Sequence, residues 1–279
     1  MGFGYIFSKS WKDYKANFKS IALAMLVLYF IGFFIVKLVS FVIISSSGYN
    51  VALEGVINGA FANGDVANLT QTMGSLGTQY ASAFSQASLY STILTIVAVL
   101  VYLIFVFGIT SSYMKKDKFS FRDILTNGKS NYLICLGFIV VALLLLAGLY
   151  VLLIIPGIIF TIYWMLDLYA FYDDPKKRYI ESLRSSYRLV KGRWWITLGY
   201  TILLLIIFVA IYLIFNIPSG VLAGISLAKM ISGTYSSSFM AVVEWVGFIM
   251  QALANFVIVP LGIMFYRNLY REYKATKAN

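Results

Sequence analysis

Long apolar runs alternate with short polar segments along the whole chain. A helix needs roughly 20 apolar residues to cross the hydrocarbon core of a membrane. Five runs reach that length, at residues 21–44, 89–110, 132–155, 194–215 and 240–266. A sixth run, 157–172, is shorter and follows the third almost directly. The pattern therefore predicts an all-α integral membrane protein, in which residues 1–279 form a single membrane domain with six transmembrane helices.

The third and fourth runs together predict a helical hairpin. Residues 132–172 correspond to about 60 Å of helix at ~1.5 Å per residue, which is enough for two crossings of ~30 Å. Proline cannot donate to the helical hydrogen-bond ladder, and glycine adopts turn conformations readily. We therefore expect Pro156 and Gly157 to form the tip of the hairpin.

Two longer connections, residues 45–88 and 216–239, predict loops on the outer side of the membrane. The first carries apolar residues at the three- and four-residue spacing of one helix face. These are Val66, Leu69, Met73, Leu76, Tyr80 and Phe84. Two interpretations remain open for this loop, a short amphipathic helix and a flexible linker. Asn68-Leu69-Thr70 is also a glycosylation sequon, so Asn68 is a possible modification site.

Charge gives the predicted helices an orientation. Twenty of the 22 Lys and Arg residues lie in four segments, at residues 9–19, 115–129, 176–193 and 267–277. Short loops on the cytoplasmic side retain Lys and Arg, whereas translocated loops lose them. The distribution predicts a multi-pass protein of the cell membrane with both termini in the cytoplasm. Composition agrees, because 61% of the residues are hydrophobic and 12% are charged.

Each odd-numbered crossing follows a basic amphipathic segment. In all three segments a lysine lies three residues before an aromatic residue at the membrane edge, and apolar residues lie seven and eleven positions before that aromatic. The lysine–aromatic pairs are Lys15 with Phe18, Lys129 with Tyr132, and Lys191 with Trp194, and Trp11 holds the seventh position in the first segment. This spacing predicts interfacial amphipathic helices before the first, third and fifth crossings.

Two explanations remain open for the similarity of these segments: a threefold internal repeat, or independent use of the same membrane anchors. Under either explanation the segments are expected to bind anionic headgroups of the inner leaflet. Membrane topology accounts for the positive charge, so nucleic acid is not an expected partner. The sequence does not indicate a protein partner.

Three ionisable residues are expected within the membrane, namely Lys37, Asp167 and Glu244. Such residues are candidates for function. Counting along the helices places Lys37 and Glu244 in the same outer third of the bilayer. They can either form an ion pair, or remain separate with Lys37 reaching the outer headgroups. Asp167 is expected to pair with Arg193 or Lys19.

The sixth crossing also carries Gln251 and Asn255, seven and eleven residues after Glu244 and on the same helix face. Polar groups in lipid are expected to face the interior of the helical bundle. They are either bonded to other helices or line a path for a substrate. Ser40 and Thr201 are further candidates for either role.

The sequence does not contain a group of residues that would predict enzymatic catalysis. The chain has no histidine and one cysteine, Cys135, which lies inside an apolar run. This excludes the commonest general base and an intrachain disulfide. No catalytic residue, metal ligand or cofactor is predicted.

The segment 153–195 resembles a known family. The motif Leu153-Ile-Ile-Pro-Gly-Ile-Ile159, the aromatic run at residues 169–172 and the segment Ser182–Trp195 carry the similarity. They resemble the membrane domain attached to some glycerophosphodiester phosphodiesterases, and related stand-alone six-helix prokaryotic membrane proteins of uncharacterised role. In that family a separate soluble domain is catalytic, so the resemblance implies only the architecture and a link to lipids or the cell envelope. We therefore expect a non-enzymatic membrane protein that organises or assists lipid or envelope components. The alternative is a small permease or lipid-handling transporter with a polar path along the sixth helix.

Overall fold

The computed structural model describes residues 2–64, 66–130, 132–174 and 179–278. Helix makes up 91% of the chain, and no strand occurs in the described residues. The helices are α1 Phe3–Met25, α2 Ile31–Ser46, α3 Tyr49–Ala62, α4 Leu69–Gln79, α5 Ala81–Lys115, α6 Phe121–Ser130, α7 Tyr132–Leu152, α8 Ile154–Trp164, α9 Asp167–Asp173, α10 Tyr179–Val190, α11 Trp194–Ile231 and α12 Ser237–Ala278. Asp65 lies outside the described residues. Residues 175–178, at the start of the third basic segment, also lie outside them.

Six helical stretches are long and apolar enough to cross a membrane, which confirms a multi-pass membrane protein. They are Phe3–Ser46, Ala81–Lys115, Tyr132–Val151, Ile154–Asp173, Trp194–Ile231 and Ser237–Lys277. Most of these stretches are longer than the apolar runs that predict them, because polar flanking residues continue the same helices. The count of six crossings is as expected from the apolar runs.

The contacts between residues divide the chain into two compact units. The first comprises Met1–Leu26, Tyr102–Val209 and Phe256–Asn279, and we call it the basic unit because it contains 20 of the 22 Lys and Arg residues. The second unit comprises Val27–Val101 and Ala210–Asn255. Each unit is described separately below.

Two glycines allow α5 and α6 to touch backbone to backbone in the basic unit. A Cβ atom on Gly108 would lie 2.1 Å from the carbonyl oxygen of Ile124, and one on Gly128 would lie 2.2 Å from that of Ile104. Both distances are far below van der Waals contact, so no larger residue fits at either position. The two contacts are reciprocal, because each glycine faces a residue four positions from the other glycine.

The α7–α9 hairpin packs on α10 in the same unit. Phe138 of α7 stacks on Phe171 of α9 with ring centroids 5.3 Å apart, and Leu183 of α10 is buried against the same cluster. The helix breaks at Leu153, whose backbone is extended, rather than at the predicted Pro156-Gly157. Pro156 lies in the first turn of α8, where a missing N–H group has no intrahelical partner to lose.

A second break, at Met165 and Leu166, divides the fourth crossing into α8 and α9. The Ser186 hydroxyl bridges this break, since it donates to the carbonyl oxygen of Tyr163 (2.7 Å) and accepts from the N–H of Leu166 (3.2 Å). The backbone groups freed by the break are therefore satisfied by a side chain, as membrane-spanning segments require.

The amphipathic segment before the first crossing is not a separate helix, which corrects the expectation. α1 continues through a π-helical turn at Leu26–Phe30 into α2 without a break. The fourth basic segment, 267–277, likewise lies within a longer helix, α12. The segments before the third and fifth crossings are distinct helices, α6 and α10. α10 ends at Val190, and Gly192, two residues later, has a φ of 84°, the left-handed conformation that glycine favours.

The predicted outer loops are largely helical. Residues 45–88 contain α3 and α4, so helix is the correct interpretation and flexible linker is not. Leu69 and Leu76 are buried, Met73 is exposed, and the side chain of Val66 lies outside the described part. The expected loop at 216–239 is wrong, because α11 runs to Ile231 with Pro218 inside it. A proline removes a single N–H donor there, and the apolar flanks keep the helix intact.

The core of the second unit is aromatic. Trp245 of α12 packs against Phe34 and Phe41 of α2, with ring centroids 5.5 and 5.8 Å away. Gly32 of α2 approaches Ala98 of α5 so closely that a Cβ atom on the glycine would lie 3.2 Å from the alanine Cβ. These contacts set the orientation of α2, because they hold Phe34 and Phe41 against α12.

Candidate functional site

Lys37 and Glu244 form an ion pair in the second unit. Lys37 of α2 lies between Phe34 and Phe41, and its ammonium Nζ donates to Oε2 of Glu244 on α12 at 2.5 Å. The two side chains remain 29% and 49% exposed. Of the two open interpretations, the structure shows the pair rather than a separate Lys37 and Glu244.

The pair lies in the wall of a cavity of about 360 Å³. Among the described residues, Lys37 and Glu244 are the only charged ones that line the cavity, and the other lining groups are hydroxyl, amide, aromatic and aliphatic. The polar lining side chains are Ser40, Ser45, Tyr49, Asn50, Tyr235 and Ser237, and Phe41 and Phe84 add aromatic surface. The cavity therefore combines one positive group, one negative group and hydrogen-bonding side chains in a partly apolar wall, which is the usual composition of a small-molecule site.

Two side chains of α3 hold the start of α12 at the cavity rim. Asn58 accepts from the N–H of Tyr235 (2.7 Å) and donates to its carbonyl oxygen (2.9 Å). Glu54 accepts from the hydroxyl (2.7 Å) and the N–H (3.0 Å) of Ser237, and these hydrogen bonds lower the pKa of the Glu54 carboxyl. The carboxylate of Glu54 is thus engaged by α12, while Glu244 faces the cavity.

The polar stripe of the sixth crossing does not line one continuous path. Asn255 donates to the hydroxyl of Tyr29 at 2.8 Å, which is an interhelical hydrogen bond. Gln251 is exposed on the surface of α12 and does not face the bundle interior, contrary to expectation. Glu244 alone of the three lines the cavity. Glu244, Gln251 and Asn255 have the spacing of one helix face, but the surroundings of that face differ at each of the three residues along α12.

Asp167 does not have the partner predicted for it. Among the residues that the structure describes, no Lys or Arg side chain forms an ion pair with Asp167, and its carboxylate accepts the N–H of Leu168 at 2.5 Å. Arg193 instead donates to the Thr276 hydroxyl at 2.5 Å and lies 5.1 Å from the Tyr273 ring centroid. Of the two further polar candidates, Ser40 lines the cavity and Thr201 bonds within the basic unit.

A buried arginine network in the basic unit was not predicted. Arg267 of α12 is 0% exposed. Its guanidinium donates to Oδ1 of Asp117 (2.6 Å), the carbonyl oxygen of Tyr113 (2.7 Å) and Oδ1 of Asn268 (3.1 Å). The same group lies 3.8 Å from the centroid of the Tyr113 ring, and its Nε has no hydrogen-bond partner. The hydrogen bond from Arg267 holds the pKa of the Asp117 carboxyl below its ordinary value.

α1 completes this network. The Tyr113 hydroxyl donates to Asp13, and the Asn268 amide donates to both Ser10 (3.0 Å) and Asp13 (3.2 Å). Asn17 donates to the carbonyl oxygen of Asp117 and accepts the N–H of Phe119. The network therefore joins α1, the α5–α6 connection and α12. Asp13 and Asp117 inside two basic segments were the only signals in the sequence.

Many cations of the basic unit remain available to a ligand. Ten exposed Lys and Arg side chains form neither an ion pair nor a hydrogen bond within the described part of the chain, whereas the exposed Lys115 and Lys277 each donate one hydrogen bond. They are Lys9, Lys12, Lys15, Lys19, Lys118, Arg122, Lys129, Arg184, Arg188 and Lys191. Others are paired, for example Lys116 with Asp123 (2.8 Å), which together with Ser120 lowers the pKa of the Asp123 carboxyl to about 2.

The predicted anchor residues differ in exposure. Trp11 and Phe18 of α1 are 38% and 49% exposed, and the Lys15 ammonium lies 5.5 Å from the Trp11 ring centroid. Tyr132 packs on Phe107 inside the unit. Trp194 is only partly exposed, and its indole N–H donates to the carbonyl oxygen of Ile159 at 3.2 Å. The adjacent Trp195, which is 78% exposed, was missed as an anchor.

The three basic segments bury the same helical positions. Counted back from the aromatic residue, position four holds Tyr14, Gly128 and Val190, and position eight holds Ser10, Ile124 and Ser186. All six are buried. The predicted stripe at positions seven and eleven lies one residue away from this face.

These features define a multi-pass helical membrane protein with a charged cavity and a basic unit. No protein-family model, curated protein or solved structure matches the chain. Asn68 is exposed on the turn before α4, and its glycosylation stays a prediction.

Proposed function

We propose that this chain is a non-enzymatic multi-pass protein of the cell membrane that binds anionic lipids and so organises or assists lipid or envelope components. Its termini and basic unit lie on the cytoplasmic side in this proposal. The observation that carries the proposal is the set of ten exposed cations whose side chains have neither an ion-pair nor a hydrogen-bond partner in the described part of the basic unit.

The magnitude of the attraction favours lipid as the partner of these cations. Each basic residue near an anionic leaflet contributes about 1 kcal/mol, so even half of the ten side chains would give a strong preference for anionic headgroups. The amphipathic helices α6 and α10 and the first turns of α1 carry most of these charges. The common buried face at positions four and eight supports the further proposal that the three segments are repeats that lie at the interface.

Lipid selectivity tests this proposal. The full-length protein in detergent is mixed with phosphatidylglycerol and phosphatidylcholine at equal concentration, and bound lipids are counted by native mass spectrometry. We expect phosphatidylglycerol to dominate, and a triple variant, Lys118→Gln, Arg122→Gln and Lys129→Gln, to retain less of it. The control is Lys229→Gln, whose ammonium in the second unit lies over the Phe239 ring. Equal retention of both lipids by the wild type would contradict the proposal.

The orientation is tested separately with cysteine labelling. The natural Cys135 is buried, so an introduced cysteine provides the accessible thiol. In intact cells, a membrane-impermeant maleimide should label Met73→Cys in α4 and not Lys191→Cys at the end of α10. The reverse pattern would place the basic unit outside.

A permease is the alternative function, and the charged cavity is the observation that favours it. A permease needs a polar path that continues beyond the cavity. The two polar residues that could continue it do not do so, because Asn255 is hydrogen-bonded to Tyr29 and Gln251 lies exposed on the surface of α12. Flux of labelled substrates into proteoliposomes tests it, and transport that Glu244→Gln abolishes would replace our proposal. The resemblance of segment 153–195 to phosphodiesterase-associated membrane domains fits a lipid role and remains a proposal.

A further inference from the structure

We propose that the cavity of the second unit binds a zwitterion that carries an ammonium group and a phosphate group, such as an ethanolamine phosphodiester. The phosphate lies against Lys37 and the ammonium group against Glu244. This site is independent of the anionic-lipid proposal, because it concerns the second unit and a ligand without net charge.

The Lys37–Glu244 pair retains unused hydrogen-bonding capacity on the cavity side. An ammonium group has three donors, and the structure uses one of those of Lys37, toward Oε2 of Glu244. Oε1 of Glu244 accepts no hydrogen bond in the described structure, and both side chains are partly exposed in the cavity wall. A zwitterion can therefore bind on the intact pair, and each of its charges meets the opposite charge.

The charge of the cavity selects against other ligands. Lys37 and Glu244 cancel, and the nearby carboxylate of Glu54 is held by Ser237 of the rim. A simple anion would meet Glu244 next to its own site, and a simple cation would meet Lys37, so each gains attraction from one group and repulsion from the other. Only a ligand with both charges gains from both groups.

The remaining lining suits the same ligand. Tyr49 and Phe84 form an edge-to-face pair with centroids 4.7 Å apart, and both line the cavity. Aromatic faces attract an alkylammonium group. The Asn50 amide donates one N–H to Ser45 (3.2 Å) and has a second N–H for a phosphate oxygen, whereas the Ser40 hydroxyl donates to the carbonyl oxygen of Val36 (3.1 Å). The cavity volume of about 360 Å³ lies in the range of small-molecule sites.

The test uses the full-length chain in an uncharged maltoside detergent and isothermal titration calorimetry. The ligands are dihexanoyl-phosphatidylethanolamine, glycerophosphoethanolamine and dihexanoyl-phosphatidylglycerol. Binding to the cavity is defined as the part of the binding that Lys37→Met removes, because anionic lipid also binds the basic unit under the proposed function. For this part we expect the two ethanolamine compounds to bind and the glycerol lipid to bind at least about tenfold more weakly, since it lacks the ammonium group that pairs with Glu244. Binding of the dihexanoyl lipid alone would support the inference and identify a membrane lipid as the source. Tighter binding of the free compound would support it and identify a soluble ligand.

Variants connect the binding to the ion pair. Lys37→Met and Glu244→Gln should each weaken ethanolamine binding by about tenfold or more. The exchange variant, Lys37→Glu with Glu244→Lys, keeps both charges and should recover binding, and it remains informative if the single variants fail to fold. The control is Lys274→Gln, which breaks an ion pair with Asp173 of the same 2.5 Å length in the basic unit. Equal affinity of the Lys37-dependent site for the glycerol lipid, no binding of either ethanolamine compound, or losses as large in Lys274→Gln would overturn the inference.

Discussion

Replacing Arg267 by methionine tests whether the buried network stabilises the basic unit. The change removes three hydrogen bonds, to Asp117, to the Tyr113 carbonyl and to Asn268, and the contact 3.8 Å above the Tyr113 ring. Asp117 is 70% exposed, so water can replace its lost partner. The Tyr113 carbonyl and the Asn268 amide oxygen belong to residues that are 0% and 5% exposed, so they lose a partner without gaining water.

These contacts set the expected magnitude. Each buried acceptor left without a partner costs about 1–3 kcal/mol, and a desolvated cation–π contact contributes about 2 kcal/mol. Methionine recovers part of the packing and removes the unpartnered Nε, so we expect a net loss of about 3 kcal/mol in the free energy of unfolding. The matched control is Arg271→Met, on the same helix and with the same Asp117 partner at 3.3 Å. Its side chain is 40% exposed, so we expect a loss of at most about 1 kcal/mol.

The assay is thermal unfolding of the protein in detergent, followed by circular dichroism. Titration of Asp117 gives an independent measurement, because its pKa should rise when the Arg267 hydrogen bond that lowers it is lost. Equal and small losses for Arg267→Met and Arg271→Met would refute the argument from burial. An unchanged Asp117 pKa would refute the hydrogen bond itself.

Three further predictions concern local contacts. Gly108→Ala should destabilise the protein by at least about 1–3 kcal/mol in thermal unfolding because its Cβ would overlap a backbone oxygen, whereas Gly148→Ala, with open space around it, should be neutral or stabilising; equal effects would contradict the close approach of α5 and α6. The pKa of Asp123 is about 2 in the folded protein because the Lys116 ammonium and Ser120 bind its carboxylate, so its contribution is complete above the unfolded pKa near 4 and lost as pH falls toward 2; the stability difference between wild type and Asp123→Asn should therefore shrink from pH 5 to pH 2.5, and a constant difference would argue against it. Ser186→Ala should cost about 1–3 kcal/mol and speed amide exchange at the break between α8 and α9, and unchanged exchange there would show that the hydroxyl does not bridge the break.

The membrane-spanning helices were predictable from the length of the apolar runs. The points at which helices begin and end were less predictable, because single residues such as proline decide them. The fifth crossing was expected to end at residue 215, yet α11 continues to Ile231 with Pro218 inside it, because a proline in an apolar helix removes only one donor. Pro156 was expected at the hairpin tip but lies in the first turn of α8. A helix tolerates proline in its first turn, so proline marks the neighbourhood of a break and not its position.

The Lys37–Glu244 pair and the Arg267 network also differ in how far the sequence predicts them. Lys37 and Glu244 could be paired from the sequence, because the rise per residue places both at similar depth. Arg267 could not be identified, because a basic residue near the end of a transmembrane helix is fully explained by membrane anchoring. Its partners Asp117 and Tyr113 belong to a distant segment, and contacts of that kind arise from packing that periodicity does not record. The exposed position of Gln251 was missed for a similar reason. Residues on one helix face share an environment only where the same neighbouring helices pack against that face.

Chain order gives the Arg267 network a consequence for biosynthesis. Asn268 contacts Asp13, which lies 255 residues earlier in the chain. At a synthesis rate of ~5–20 residues per second, Asp13 of α1 therefore waits roughly 13–50 s for Asn268. Asp117, which lies 150 residues before Arg267, waits roughly 8–30 s. During these intervals Asp117 lacks Arg267 and Asp13 lacks the Asn268 amide, so the nascent protein carries two carboxylates without their partners from α12. A ribosome-bound chain that stops before α12 should therefore remain bound to insertion and quality-control factors, which makes α12 the element whose arrival releases the folded protein.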